Sequence, residues 1–174
     1  MKFERKKAVE ILERTPLVLN SLLRGISEEW IINNEGFDTF SPYDVVGHLI
    51  HGEKTDWVVR AKIILEHGTN RPFDPYDRFA QYEESKGKSL EQLLDEFAII
   101  RKANVGWLQS IQITENDLER KGMHPVLGEV SLRNLLSTWV VHDLTHIAQI
   151  TRVMSKQYVG EMGPWPQFFR ILSF

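Results

Sequence analysis

No cysteine occurs among the 174 residues. That absence excludes disulfides, thiolate metal ligands and a cysteine nucleophile. A bound metal must then be held by His, Asp or Glu, and any thiol chemistry must use a thiol supplied from outside. No apolar run approaches the ~18 residues that span a bilayer. The basic opening MKFERKK is followed by Glu10, Glu13 and Arg14 rather than by the apolar stretch of a signal peptide. Nor is there a surplus of positive charge. With a formal net charge of −3, the composition argues against a broad basic face for nucleic acid. Repeats and low-complexity tracts are missing too. These absences together lead to the expectation of a cytoplasmic protein whose partner is a small molecule, not a membrane or a nucleic acid.

What is present is an ordinary globular composition, 42% hydrophobic and 26% charged, enough for one domain over residues 1–174 with a hydrophobic core. Val9, Leu12, Leu19, Leu22, Leu23 and Ile26 recur at helical spacing. They predict a first helix near residues 3–24, kinked at Pro16 and stopped by Gly25. Ser41-Pro42 is a helix start, and the second helix is expected to reach about Glu66. The segment HGTNRPFDPYDRFAQYEESKGK reads as irregular. Its aromatics Phe73, Tyr76, Phe79 and Tyr82 either wall a pocket or pack over the bundle's side. Ser89 caps a third helix to about Ile111, and TENDLERKGMHPVLGEV is turn-rich, with a small hairpin around Gly128. Ser131 caps a fourth helix to about Ser155, and the tail GEMGPWPQFFRILSF reads as a turn and a short amphipathic helix. The expected fold class is all-α, a four-helix bundle with a short C-terminal helix.

The fourth helix contains VVHDLTHIAQI, with histidines four residues apart. On a helical projection Leu132, Leu135, Leu136, Trp139, Ile147, Ile150, Val153 and Met154 form one stripe, and His142 and His146 fall on it. Burying an unpaired polar group costs on the order of 1–3 kcal/mol. A divalent metal offsets that cost, because imidazoles at i and i+4 converge on one ion. The alternative is a pair of hydrogen-bonded core histidines. His48 lies where the second helix's apolar face meets its polar one, which makes it the best third ligand. His51 projects into the polar sector, which places it in solvent or just outside the ligands; His67 reads as a helix-terminal residue and His124 sits in a turn before Pro125. Asp143 is the catalytic candidate, orienting a ligand imidazole or serving as a base, unless it only pairs with an arginine. Glu53 and Gln149 are weaker supporting candidates.

The HExxH peptidase pattern fits poorly. Its acid would be one methylene short, no histidine follows His146, and Glu161 is the one later acid. A ferritin-like di-iron site would need two Glu-x-x-His motifs, and the nearest approach is Asp143-x-x-His146. What remains is a mononuclear site of three neutral ligands with an open position, the catalytic pattern, able to activate a water or hold a thiol as thiolate.

The stretches SPYDVVGHLIHGEKTDW and RKGMHPVLGEVSLRNLLSTWVVHDLTHIAQITR resemble the DinB-like superfamily, which includes the YfiT-type metal-dependent hydrolases. The resemblance runs over nearly the whole chain, and its specific part is the second-helix histidine combined with HxxxHxxQ. It implies a four-helix bundle, often a homodimer. It also implies a divalent ion, zinc or nickel, on His48, His142 and His146, and chemistry that often uses a low-molecular-weight thiol cosubstrate. The expectation is therefore a metal-dependent thiol S-transferase or hydrolase acting on a small molecule. The rival is a non-catalytic metal- or small-ligand-binding stress protein.

Overall fold

The structure is a computed structural model and describes residues 1–173. Four helical rods make the bundle. The first is α1 (Arg5–Leu12) and α2 (Arg14–Leu23), followed by the short α3 (Glu28–Ile32). The second is α4 (Pro42–Thr55) and α5 (Trp57–His67), and α6 (Ala80–Ser85) interrupts the segment after it. The third rod is α7 (Leu90–Ser110), followed by α8 (Glu115–Leu118). A two-stranded antiparallel hairpin, β1 (Lys121–His124) and β2 (Gly128–Ser131), leads into the fourth rod, α9 (Leu132–Lys156).

The three serine starts hold for a local reason. Ser41, Ser89 and Ser131 each accept the backbone N–H three residues on, and Asp44, Gln92 and Asn134 reach back to the serine's own N–H. The first rod breaks at Glu13 rather than at Pro16. Proline lacks the N–H that would donate to the carbonyl four residues before it, so the helix fails upstream of the ring. The second rod is not continuous either. It is interrupted at Asp56 (φ −105°, ψ −79°), where neither proline nor glycine marks the break. The tail forms three 3₁₀ turns, Val159–Glu161, Trp165–Phe168 and Arg170–Leu172, in place of the expected amphipathic helix.

The apolar core falls into two clusters. One gathers Leu12, Trp57, Ile64, Phe73, Leu108, Leu136 and Trp139. The other gathers Leu19, Leu23, Val46, Leu49, Leu94, Phe97 and Ile150. Between them a polar layer crosses the bundle. Along α4 the order is Leu49, Glu53, Trp57; along α7 it is Phe97, Arg101, Val105; along α9, Asp143 lies between Trp139 and Ile150. Glu53, Arg101 and Asp143 are each no more than 2% exposed.

The hairpin positions the segment after α5. Gly122 lies so close to Ile64 and Phe73 that a Cβ there would stand 2.7 Å and 2.8 Å from their side chains. Phe73 donates its backbone N–H to the Met123 carbonyl at 2.9 Å. Phe73 is thereby fixed three residues before Tyr76.

Candidate metal centre

One helical turn separates His142 and His146 on α9, and their Nε2 atoms are 3.1 Å apart. His48, on the facing α4, brings its own Nε2 to 3.1 Å from that of His142. One ligand atom from each ring lies within 4.8 Å of the others. Zn–N distances of about 2.0–2.1 Å in a tetrahedral sphere correspond to N···N separations of roughly 3.3 Å. The donor set and its spacing therefore fit a divalent ion.

The outer ring nitrogens are held. His146 Nδ1 meets the side-chain Oε1 of Gln149 at 2.8 Å. An amide oxygen can only accept, so the ring proton is on Nδ1 and the Nε2 lone pair faces the cluster. His48 Nδ1 meets the Tyr76 hydroxyl at 2.9 Å. His142 Nδ1 is buried without a hydrogen-bond partner among the described residues. Its ring lies 5.0 Å from that of Trp57, which stacks on Trp139. Burial, followed by the neighbouring His146 and other nearby charges, pushes His48 down to about 3 and His142 down to about 2. Burial also lowers His146, against the opposing effects of Gln149 and Asp143. The imidazoles are neutral at pH 7, as metal ligands must be.

Beneath the rings lies the polar layer. Asp143 has both oxygens engaged by Arg101, at 2.8 Å to Nη2 and 2.5 Å to Nη1. Of the three positions open to it from sequence, base, imidazole-orienting acid or arginine partner, its contacts are those of the third. Arg101 Nη2 also donates to Glu53 at 2.9 Å, and Glu53 accepts further from Trp139 Nε1 and Asn104 Nδ2. One guanidinium meets two carboxylates here, leaving the layer with a negative excess below three neutral rings.

The DinB superfamily profile matches residues 11–150. The chain belongs to the DinB superfamily. Among solved structures this DinB protein is similar to YfiT from Bacillus subtilis, described as a probable metal-dependent hydrolase with an unusual four-helix bundle topology. The two share 23% identity over 90% of this chain and 89% of that one, with a TM-score of 0.77. No curated protein matches.

Around the imidazoles this DinB chain departs from its sequence reading in informative ways. His51, expected on the polar side, is 5% exposed, because α6 lies over it and Glu84 meets its Nδ1 at 3.0 Å. His67 stays at the end of α5, half-exposed beside Glu66. His124 accepts the backbone N–H groups of Val126 and Leu127 at 3.1 Å each, as a turn-forming residue. Neither Tyr76 nor Arg101 stands out in the sequence as a site residue. Tyr76 was signalled only as one loop aromatic among four. Arg101 could have been found as a cation four residues from both Phe97 and Val105 on the inner face of α7.

A cavity of about 350 Å³ is lined by two of the rings, His48 and His146, by Gln149 and Phe40, and by the charged Glu35, Asp38, Arg78 and Arg152. Of the segment after α5, Arg78 lines this cavity; of its aromatics, Phe73 packs into the bundle core and Tyr76 holds His48, and neither lines the cavity. Among the described residues no helix is long and apolar enough to cross a membrane.

Proposed function

We propose that His48, His142 and His146 hold a divalent ion, zinc or nickel, and that the protein is a metal-dependent enzyme acting on a small electrophile. The nucleophile is an external low-molecular-weight thiol or water. The observation that carries this reading is the convergence of three imidazole nitrogens, with the rings of His48 and His146 lining an open cavity. An ion held there supplies Lewis acidity and a coordination position the protein does not fill.

The chain's own residues do the rest. Gln149 and Tyr76 fix the orientation of His146 and His48, keeping their lone pairs on the cluster. Trp57 and Phe40 pack against the rings and keep bulk water from their sides. Arg101 ties α4, α7 and α9 together, holding His48 opposite His142. Asp143 acts in this proposal through that tie, as a positioning residue. The cavity admits a reactant from the side of His48 and His146.

The superfamily resemblance favours thiol transfer over hydrolysis, and it extends the proposal to a cytoplasmic homodimer that does not engage nucleic acid. The test is a panel of low-molecular-weight thiols with a chlorinated aromatic electrophile, run before and after chelation. Turnover that requires a thiol, disappears with the metal and returns with zinc or nickel is expected. Turnover without thiol assigns water as the nucleophile. No turnover, together with a cobalt-substituted spectrum that azide cannot shift, would replace the enzyme with a closed, non-catalytic metal protein.

A further inference from the structure

The cavity in front of the imidazoles also has a charged wall. Arg78 stands two residues beyond Tyr76, whose hydroxyl meets His48 Nδ1. Its place relative to the three rings is therefore set by a contact within the site. The Arg78 guanidinium lies over two aromatic rings, 5.7 Å from the Phe40 centroid and 5.2 Å from that of Phe79. Asp38 is its one ion-pair partner among the described residues, at 4.0 Å, and both side chains are about half exposed. At that separation there is no hydrogen bond, so the guanidinium donors are left for a ligand. Two rings pack against the group while its donors stay available, and a guanidinium's paired donors match a carboxylate in a bidentate fork.

Glu35, Asp38 and Arg152 line the same cavity. Glu35 is engaged by Arg152 at 2.7 Å and by Lys156 at 2.7 Å, so its carboxylate does not compete for Arg78. The two arginines and two acids that line the cavity balance in charge, so an anion preference rests on Arg78 alone, in a cavity whose volume, about 350 Å³, is at the small end of ligand pockets.

We infer that a reactant of this protein carries a carboxylate or similar planar oxyanion, that Arg78 binds it, and that its reacting end then lies at the imidazoles. The location of the reacting end rests on the function proposed above; the anion site itself does not. The carboxylate can belong to the thiol or to the electrophile, and Arg78 serves either one. Arg78 is then the residue that selects acids over their neutral analogues.

The anion site is tested without metal. Chelated protein is titrated with 3-phenylpropionate and with 3-phenylpropionamide by NMR, as wild type, Arg78→Lys and Arg78→Ala, each checked for unchanged thermal unfolding. The wild type should bind the acid about ten-fold more tightly than the amide. Arg78→Ala should bring the two within about two-fold, and Arg78→Lys should fall between, because it keeps the charge and loses the fork. Equal binding by the wild type, or a preference that survives Arg78→Ala, overturns the proposal. Zinc-loaded protein with 3-mercaptopropionate and 3-mercaptopropionamide then identifies the source. An Arg78-dependent preference for the acid in this pair places the carboxylate on the thiol; its confinement to the phenylpropionate pair places it on the electrophile. A chain that shows the Arg78 preference but takes up no zinc would sink the metal reading and leave the anion site standing.

Discussion

Arg101 donates from Nη1 to the backbone carbonyl of Leu12 at 2.9 Å. This is the carbonyl that Pro16, lacking an N–H, leaves without its helical donor. The same guanidinium holds Asp143 on α9 and Glu53 on α4. All four rods therefore meet at one side chain, directly below the imidazole cluster.

Replacing Arg101 by methionine keeps the volume but strands two buried carboxylates. The expected loss is about 3–5 kcal/mol of stability at pH 7, read by urea unfolding of metal-free protein. Arg101→Lys should recover only part of it, since an ammonium cannot fork between two acids and a carbonyl. A loss below ~1 kcal/mol for the methionine variant would show that the layer is not what registers the rods.

Tyr76→Phe removes the partner of His48 Nδ1 and nothing from the apolar core. Metal affinity, measured by competition with a chelator, should fall about 10- to 100-fold. The stability of the metal-free protein should change by ~1 kcal/mol or less. Unchanged affinity would mean that the loop does not hold the ligand ring.

The contrast between these two residues and the histidines shows what the sequence could disclose. The serine caps, the hairpin at Gly128 (φ 74°) and the stripe carrying His142 and His146 are local, set within a few residues by hydrogen bonding and helical period. Projection also chose His48, because the edge of an apolar face is where a side chain can reach a neighbouring rod. The same projection put His51 either in solvent or just outside the ligands; the first does not hold, because α6 with Glu84 covers it, and its ring lies 5.1 Å from that of Tyr76, the partner of His48. Tyr76 reaches His48 across 28 residues, and Arg101 reaches Leu12 across 89. No period encodes such contacts. At the break at Asp56 the preceding Thr55 donates its hydroxyl back to the His51 carbonyl at 2.8 Å, a local contact that bends helices.

Glu35 is held down to about 2, first by its hydrogen bond to Arg152 and then by Lys156, against the opposing effect of burial. A carboxylate whose folded pKa is depressed contributes stability above its unfolded value, and that contribution is lost as pH falls toward the folded value. Glu35→Gln should therefore cost ~1–2 kcal/mol at pH 7. The gap from wild type should close between about pH 4.5 and 2, as followed by urea unfolding across that range. A gap that stays constant with pH would mean that the ion pair is not the source of the shift.

The most direct measurement is the metal content of protein purified without a nickel column and reloaded with zinc, for the wild type and for His48→Ala, His142→Ala and His146→Ala. About one ion per chain is expected in the wild type and most of it should be gone in each variant, with far-UV circular dichroism unchanged. Full occupancy in His48→Ala, or a wild type that takes up no metal, would contradict a centre built from these three rings.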